Sequence, residues 1–203
     1  MTSHTPSDVL NFWFGPLGPQ GGWSDDKQHD WFMGGEQMDA RIRDVSGHTY
    51  HRAVTGELDD WARDHKGRLA LVLLWDQFSR NLHRGSADAF AQDPKARALC
   101  MQIIDEREDT SYLPIERTFL YMPLEHSERM SDQLLCVKLM ERNAQQAPPD
   151  QREAFEGFVE FADKHLKLIE SFGRFPHRNE VLGRTPTDEE RAFLEGGGAR
   201  FGQ

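Results

Sequence analysis

The sequence has few cysteines, no long apolar run and no signal-peptide pattern. Its two cysteines, Cys100 and Cys136, lie in apolar helical patterns, without CxxC spacing or paired histidines beside them. Buried free thiols are therefore expected. No stretch approaches the length that spans a membrane, and residues 1–14 lack a basic start followed by an apolar run. The sequence thus predicts a cytoplasmic protein that is not inserted in a membrane.

Strand signals and common catalytic motifs are also scarce. No alternating run of Val, Ile and Thr is bounded by a hairpin turn, and the motifs GxGxxG, GxxxxGKS/T and GxSxG are missing. The charge balance disfavours nucleic-acid-binding proteins as well, since 34 acidic residues against 24 Lys and Arg residues give a net charge of −10. Because affinity for nucleic acid comes mainly from accumulated Lys and Arg, nucleic-acid binding is not expected.

Helix starts and stops are frequent instead. Thr5-Pro6 predicts the cap and first turn of an opening helix, which Gly15 ends. Residues 69–82 carry apolar side chains almost all round a helix, and this predicts the central, most buried helix. Asp93-Pro94 predicts a cap followed by another helix.

The second half of the chain continues the helical pattern. Pro123 divides a predicted short helix at 115–121 from a longer one that runs from 124 to about 145. A third helix is predicted at 150–171, where apolar residues recur every three or four positions.

The predicted fold is all-α. Thr187 and Glu190 have the spacing of a capping box, which starts a last short helix before a Gly-rich tail from about 196 that we expect to be mobile. Short turns between helices predict antiparallel helical hairpins, arranged as a tetratricopeptide-like stack or as an irregular bundle. We expect a single domain over residues 1–203, because this length buries a core without disulfides or metals.

The first polar cluster of the sequence, residues 76–85, ends the apolar central helix. Asp76 and Arg80 are four residues apart and so share a helix face, and Arg84 continues that row. Buried charges are costly unless paired, so an Asp76–Arg80 brace between helices is one interpretation. A ligand site that also includes Asn81 is the other.

The second polar cluster, residues 172–184, is a predicted ordered loop between two helices. Its arginines offer planar donors suited to carboxylate or phosphate, and its glycines allow backbone amides to approach a ligand. The loop therefore either binds an anion or anchors to the core while its arginines pair with acidic neighbours. The candidate ligand-binding residues of both clusters are Asp76, Arg80, Asn81, Arg84, Arg174, His177, Arg178, Asn179 and Arg184.

The third polar cluster, residues 116–128, gathers carboxylates and a histidine near the predicted helix break. Glu125, His126 or Glu128 could transfer a proton in catalysis, as could His177 of the second cluster. Helix capping and salt bridging are the alternative interpretation. A histidine and a glutamate two residues apart do not share one helix face, and no HExxH or closely spaced histidine pair is present. The sequence therefore predicts no metal site and no cofactor.

Several strings of this sequence are unusual in length and composition. They are VLNFWFG at 9–15, GELDDW at 56–61, DQFSRN at 76–81 and FGRFPHRN at 172–179. Together they resemble the family catalogued as domain of unknown function 924, over nearly the whole chain. Two departures are Ser79, where that family usually has proline, and His83, where an aromatic residue is common. The resemblance implies an all-helical fold similar to tetratricopeptide-like proteins and supplies no reaction.

Two functional hypotheses follow from the polar clusters. The first is a helical binding module whose Arg- and His-lined pocket takes an anionic small molecule or an acidic segment of a partner, which requires the arginine clusters to converge. The second is a small-molecule enzyme in which His126 or His177 is the acid or base and arginines steady an anionic transition state. If neither holds, the clusters are structural braces.

Overall fold

Local capping starts the first helix, α1 (Pro6–Phe14), of the computed structural model, which describes residues 4–201. The Thr5 hydroxyl accepts from the Asp8 backbone N–H, and the Asp8 carboxylate accepts from the Thr5 N–H at 2.8 Å. Gly15 follows the helix with a φ of 66°, which a residue without Cβ adopts readily. The predicted start and end of this helix are confirmed.

Helices continue through the chain, and none of the residues at 4–201 forms a strand. The predicted all-α class is confirmed. Short 3₁₀ turns lie in several of the connections, including Asp59–Arg63 and Pro176–Arg178. After α1, the α-helices are α2 (Asp25–Met33), α3 (Gly35–Val54), α4 (His65–Leu73), α5 (Ser79–Leu82), α6 (Asp93–Asp105), α7 (Pro114–Glu125), α8 (Met130–Gln145), α9 (Arg152–Phe172) and α10 (Asp188–Glu195).

The predicted central helix contains a π turn. Leu74–Phe78 joins α4 to α5 with wider hydrogen bonding, in which the Ser79 N–H donates to the Leu74 carbonyl five residues back. A π turn inserts one residue into a helix and is frequent at functional sites. Here it contains Asp76, whose side chain is fully buried.

The predicted helix break at Pro123 is wrong. Helix α7 runs through Pro123 to Glu125, although proline has no N–H to donate to the Phe119 carbonyl. Most of α7 is buried, and this packing stabilises the helix despite the lost hydrogen bond. As a result, Glu125 and His126 both lie at the carboxyl end of one helix.

The prediction that Asp93 caps a helix is also wrong. Gln92 occupies the N-cap of α6, and Asp93 is the first helical residue. Its carboxylate lies beside the guanidinium groups of Arg80 and Arg178. The sequence pattern thus indicated a helix start and gave no sign of this contact between distant segments.

The hydrophobic core surrounds α4, which packs against α1, α6 and α7. At its centre the Trp13 ring lies 5.4 Å from the rings of Phe78 and Phe119, measured between centroids. Cys100 and Cys136 are buried and free, as predicted. Helix α8 packs along both α7 and α9, and the short connections between these helices make two antiparallel hairpins. Among the residues described, no helix has the length and apolarity needed to cross a membrane.

Candidate functional site

The first and third polar clusters meet at the buried carboxylate of Asp76. Its Oδ1 lies 2.7 Å from His126 Nδ1 and 3.2 Å from Arg80 Nη1. Its Oδ2 accepts from Gln77 Nε2 at 2.6 Å. Burial alone would raise the pKa of Asp76, but Arg80 and His126 outweigh it and hold the pKa at about 2. Asp76 therefore carries a negative charge inside the protein.

The second polar cluster joins this network through Asp93. Arg80 contacts the Asp93 carboxylate at 2.9 Å, and Arg178 lies 3.5 Å from the same group. The guanidinium carbon of Arg178 also lies 4.4 Å from the Phe90 ring centroid and 4.5 Å from that of Phe175. Arg80 and Arg178 thus share one carboxylate, and the three polar clusters converge in part.

Glu125 and His165 form a second buried pair next to this network. The Glu125 carboxylate lies 3.3 Å from His165 Nδ1, and that nitrogen is also 2.8 Å from the Phe161 carbonyl oxygen. Burial raises the pKa of Glu125 to about 8, and the charge of Asp76 adds to the shift. Burial likewise lowers the pKa of His165 to about 3. Near neutral pH the histidine is therefore uncharged, and Glu125 holds its proton to a higher pH than an exposed glutamate does.

His165 was missed by the sequence analysis. It lies three residues after Ala162 on the apolar face of α9. In the sequence, its only unusual feature is that it is a polar residue on that face. A single histidine on an apolar stripe is a weak signal, because it says nothing about which residues of other helices face it. Only the packing of α9 against α7 brings it to Glu125.

A cavity of about 610 Å³ opens beside this pair, between α2, α7 and α9. Its lining grades in exposure: Glu125 is 5% exposed, whereas Phe161 is 51% and Met33 74% exposed. Glu125 therefore lies at the inner end together with the buried Met122 and Phe158, and Met33 and Phe161 mark the mouth. The residues used below to describe this α2–α7–α9 cavity are Phe32, Met33, Met122, Glu125, Gly157, Phe158 and Phe161.

Three candidate residues of the first two clusters lie outside this convergence. Arg84 binds both oxygens of Asp39 at 2.8 and 2.9 Å. Arg174 binds both oxygens of Glu190. Asn81 donates to the Gln77 carbonyl within its own helix turn. The Arg84 and Arg174 contacts brace neighbouring segments, whereas the Asn81 hydrogen bond is local.

The loop at 172–184 is held by two carboxylates. Glu128 accepts from Arg184 at 2.7 Å and from the Phe175 backbone N–H at 2.8 Å. Burial alone would raise the pKa of Glu128, but the hydrogen bonds from these donors outweigh it and lower the pKa. Asn179 donates to Glu190. Glu128, predicted as a catalytic candidate, is thus placed as a loop anchor, and its proton-transfer role stays a prediction.

His177, the other predicted acid or base, makes no hydrogen bond or ion pair with Asp76 or His126 among the residues described. Its ring packs against Phe175 and Phe201, with centroids 5.6 and 5.7 Å away. Burial lowers its pKa to about 3, and the charge of Arg178 adds to the effect. His126, by contrast, has both a carboxylate and an arginine within reach, which is the arrangement that its predicted role requires.

Glu190→Gln is expected to lower the free energy of unfolding by about 2 kcal/mol near neutral pH, because the buried carboxylate accepts charge-assisted hydrogen bonds. Hydrogen bonding to Arg174 and to the Thr187 N–H lowers its pKa to about 2. Its contribution is therefore complete above the ordinary value of 4.5 and falls away as pH drops from there towards 2. Urea unfolding across this range should show wild type and variant converging.

The exposed neighbour Glu189 provides the matched control. Glu189→Gln should leave the free energy of unfolding within about 0.5 kcal/mol of wild type at every pH. A gap for Glu190→Gln that stays constant down to acid pH would contradict the role given to its charge.

This chain is similar to known proteins in sequence and in fold. The family described as bacterial proteins of unknown function, DUF924, matches residues 9–198. The chain belongs to this family. A solved structure similar to this DUF924 chain is that of ATU0120, a protein of unknown function from Agrobacterium tumefaciens. It is 32% identical, with a TM-score of 0.76, and the match covers 94% of this chain and 97% of that one. No curated protein matches the chain.

Proposed function

We propose that this DUF924 chain binds a small, largely apolar molecule in the α2–α7–α9 cavity, with a polar group of that molecule at Glu125. The observation that carries the proposal is the combination of a ligand-sized cavity, an aromatic and methionine lining, and one nearly buried carboxylate at the inner end. Small-molecule sites are typically concave and mostly apolar, with a few polar groups that orient the ligand.

Apolar contact, rather than arginine charge, is the recognition that this cavity offers. Arg80 is paired with Asp76 and Asp93, and Arg178 lies 3.5 Å from Asp93. The ionisable side chains of the cavity lining are Asp25, His29 and Glu125. The ligand class therefore differs from the one that the arginine-rich strings suggest. Rings of Phe32 and Phe158, 5.7 Å apart, provide flat apolar walls.

Gly157→Phe tests this proposal because it fills the cavity from a position that tolerates a side chain. Gly157 is helical, it lines the cavity, and a Cβ added there meets no atom within 4 Å. The panel consists of aromatic and aliphatic alcohols, amines and carboxylic acids of roughly six to twelve carbon atoms, a size that such cavities accommodate. At least one class should raise the melting temperature of the wild type with increasing dose, because ligands stabilise the state they bind.

Gly47→Phe is the matched control, because Gly47 is also helical and its added Cβ also meets no atom within 4 Å, yet it does not line this cavity. The melting shift should vanish in Gly157→Phe and persist in Gly47→Phe. A panel without any dose-dependent shift, or a shift equal in both variants, would overturn the proposal.

A second candidate function is the anion binding suggested by the arginine-rich loop. It is supported by a separate cavity of about 380 Å³. His177, Asn179, Arg184, Arg191 and Arg200 line this cavity, as do the carboxylates of Glu180 and Glu195. Phosphorylated and carboxylated metabolites, or an acidic segment of a partner, are the ligands that such side chains suit. In the same melting experiment, an anion that binds in this cavity should raise the melting temperature of Gly157→Phe as much as that of wild type.

The cytoplasm is the compartment we propose for either function, from the sequence pattern alone.

A further inference from the structure

Three potential metal ligands come together beside the α2–α7–α9 cavity. Glu125, His126 and His165 each offer one ligand atom, and these atoms all lie within 4.8 Å of one another. Metal bonds of about 2.1 Å place ligand atoms no more than about 4.2 Å apart, so small side-chain rotations would complete the geometry. Two of the three residues are buried, and the His126 side chain is 15% exposed. The ligands come from α7, its C-cap and α9.

Nδ1 of each histidine already has an oxygen partner of the kind that metal-binding histidines have. Nδ1 of His126 lies 2.7 Å from the Asp76 carboxylate, and Nδ1 of His165 lies 2.8 Å from the Phe161 carbonyl oxygen. Within residues 4–201, neither Nε2 takes part in a hydrogen bond. Metal-ligating histidines usually donate one ring N–H to a carboxylate or a backbone carbonyl and bind the ion through the other nitrogen.

The Glu125 carboxylate lacks a good partner in the part of the chain that the structure describes. Its ion-pair contact there is with His165 Nδ1 at 3.3 Å, a nitrogen that lies closer to the Phe161 carbonyl. Buried carboxylates are costly unless they are paired with a cation or bound to a metal. A cation bound between Glu125 and the two imidazoles would satisfy this group.

We propose that Glu125, His126 and His165 bind one divalent first-row transition-metal ion, with an open coordination position towards the α2–α7–α9 cavity. Two imidazoles and one carboxylate suit zinc, iron(II), cobalt(II) and related ions, and three protein ligands leave room for water or a ligand atom. Asp76 is then a positioning residue, because it orients the His126 ring. This inference goes beyond the proposed function, since the metal site does not depend on what occupies the cavity.

Titration of the chelator-treated full-length protein with Zn²⁺ in a calorimeter, and with Co²⁺ in a visible spectrometer, tests the site. We expect one equivalent of tight binding, and Co²⁺ should give the absorption of an ion with nitrogen and oxygen ligands. Glu125→Gln and His165→Gln should weaken Zn²⁺ binding by more than about 100-fold. Asp76→Asn, which removes the charge that faces both His126 and Arg80 and leaves the three proposed ligands in place, should weaken it by about 10- to 100-fold.

The control removes two exposed histidines of α3 that could bind an ion adventitiously. His48 and His51 are three residues apart on α3, so they share a helix face. The double variant His48→Gln/His51→Gln should bind the tight equivalent unchanged. Tight binding that is lost in this variant but retained in His165→Gln would overturn the proposal, and so would the absence of any tight equivalent.

Two further measurements keep the outcome clear. If a variant does not fold, nitrogen-15 spectra of the histidine rings in wild type decide alone, because Zn²⁺ must shift Nε2 of His126 and His165 and spare the other rings. Gly157→Phe should retain Zn²⁺ binding. Loss of the organic ligand in that variant, with Zn²⁺ affinity intact, would show that the two proposals stand or fall separately.

Discussion

Arg80→Ala is expected to lower the free energy of unfolding by about 3–5 kcal/mol, because it removes one partner of a buried ion pair and leaves carboxylates without their cation. The Arg80 side chain is 9% exposed and lies between Asp76 and Asp93. Asp76 is fully buried, and its pKa of about 2 depends first on Arg80 among the groups that lower it. Urea unfolding at neutral pH measures the loss.

Arg63→Ala is the matched control. Arg63 pairs with Asp60, but both side chains are at least 80% exposed, so water screens the pair. Exposed pairs of this kind contribute about 0–1 kcal/mol. A loss for Arg80→Ala that is as small as that for Arg63→Ala would mean that Asp76 and Asp93 find other partners, and that the buried network is not a brace.

Trp13→Ala is expected to cost about 3–5 kcal/mol, the usual range for removing a large aromatic side chain from a packed core. Trp13 is 1% exposed, and its ring contacts those of Phe78 and Phe119. The truncation leaves a void where α1 meets the core, which neighbouring rings fill only in part. Thermal and urea unfolding should both show the loss.

Leu134→Ala, on α8, controls for the effect of truncating an apolar side chain. Leu134 is 53% exposed, so the same kind of change should cost less than about 1 kcal/mol there. Equal losses at the two positions would contradict the core that the structure assigns to α1, α4 and α7.

The parts of the fold that were predictable from sequence are those that depend on nearby residues. The capping boxes of Thr5 with Asp8 and of Thr187 with Glu190 operate within a single turn, so their spacing is visible in the sequence. The apolar pattern of 150–171 likewise predicted α9 within two residues, because a helix periodicity reports its own buried face.

The parts that were not predictable depend on residues far apart in the chain. Asp93 precedes a proline, and this local pattern reads as a cap even though its carboxylate binds Arg80 and Arg178. Pro123 predicted a break that does not occur. The packing that stabilises α7 comes from other helices and is not visible in the sequence around the proline. The same holds for the candidate site. The polar strings pointed to Asp76, Arg80 and Arg178 as candidate residues. No polar string surrounds His165, the partner of Glu125 on α9.

The π turn at Leu74–Phe78 makes the network depend on how the helix is wound, as well as on which residues it contains. Successive residues of an α-helix are about 100° apart around its axis. Winding the same residues as regular α-helix, without the π turn, would rotate Arg80 by about that angle relative to α4. Such a chain would still contain Asp76, Arg80, Asp93 and His126, yet the arginine would point away from the carboxylates that it now joins.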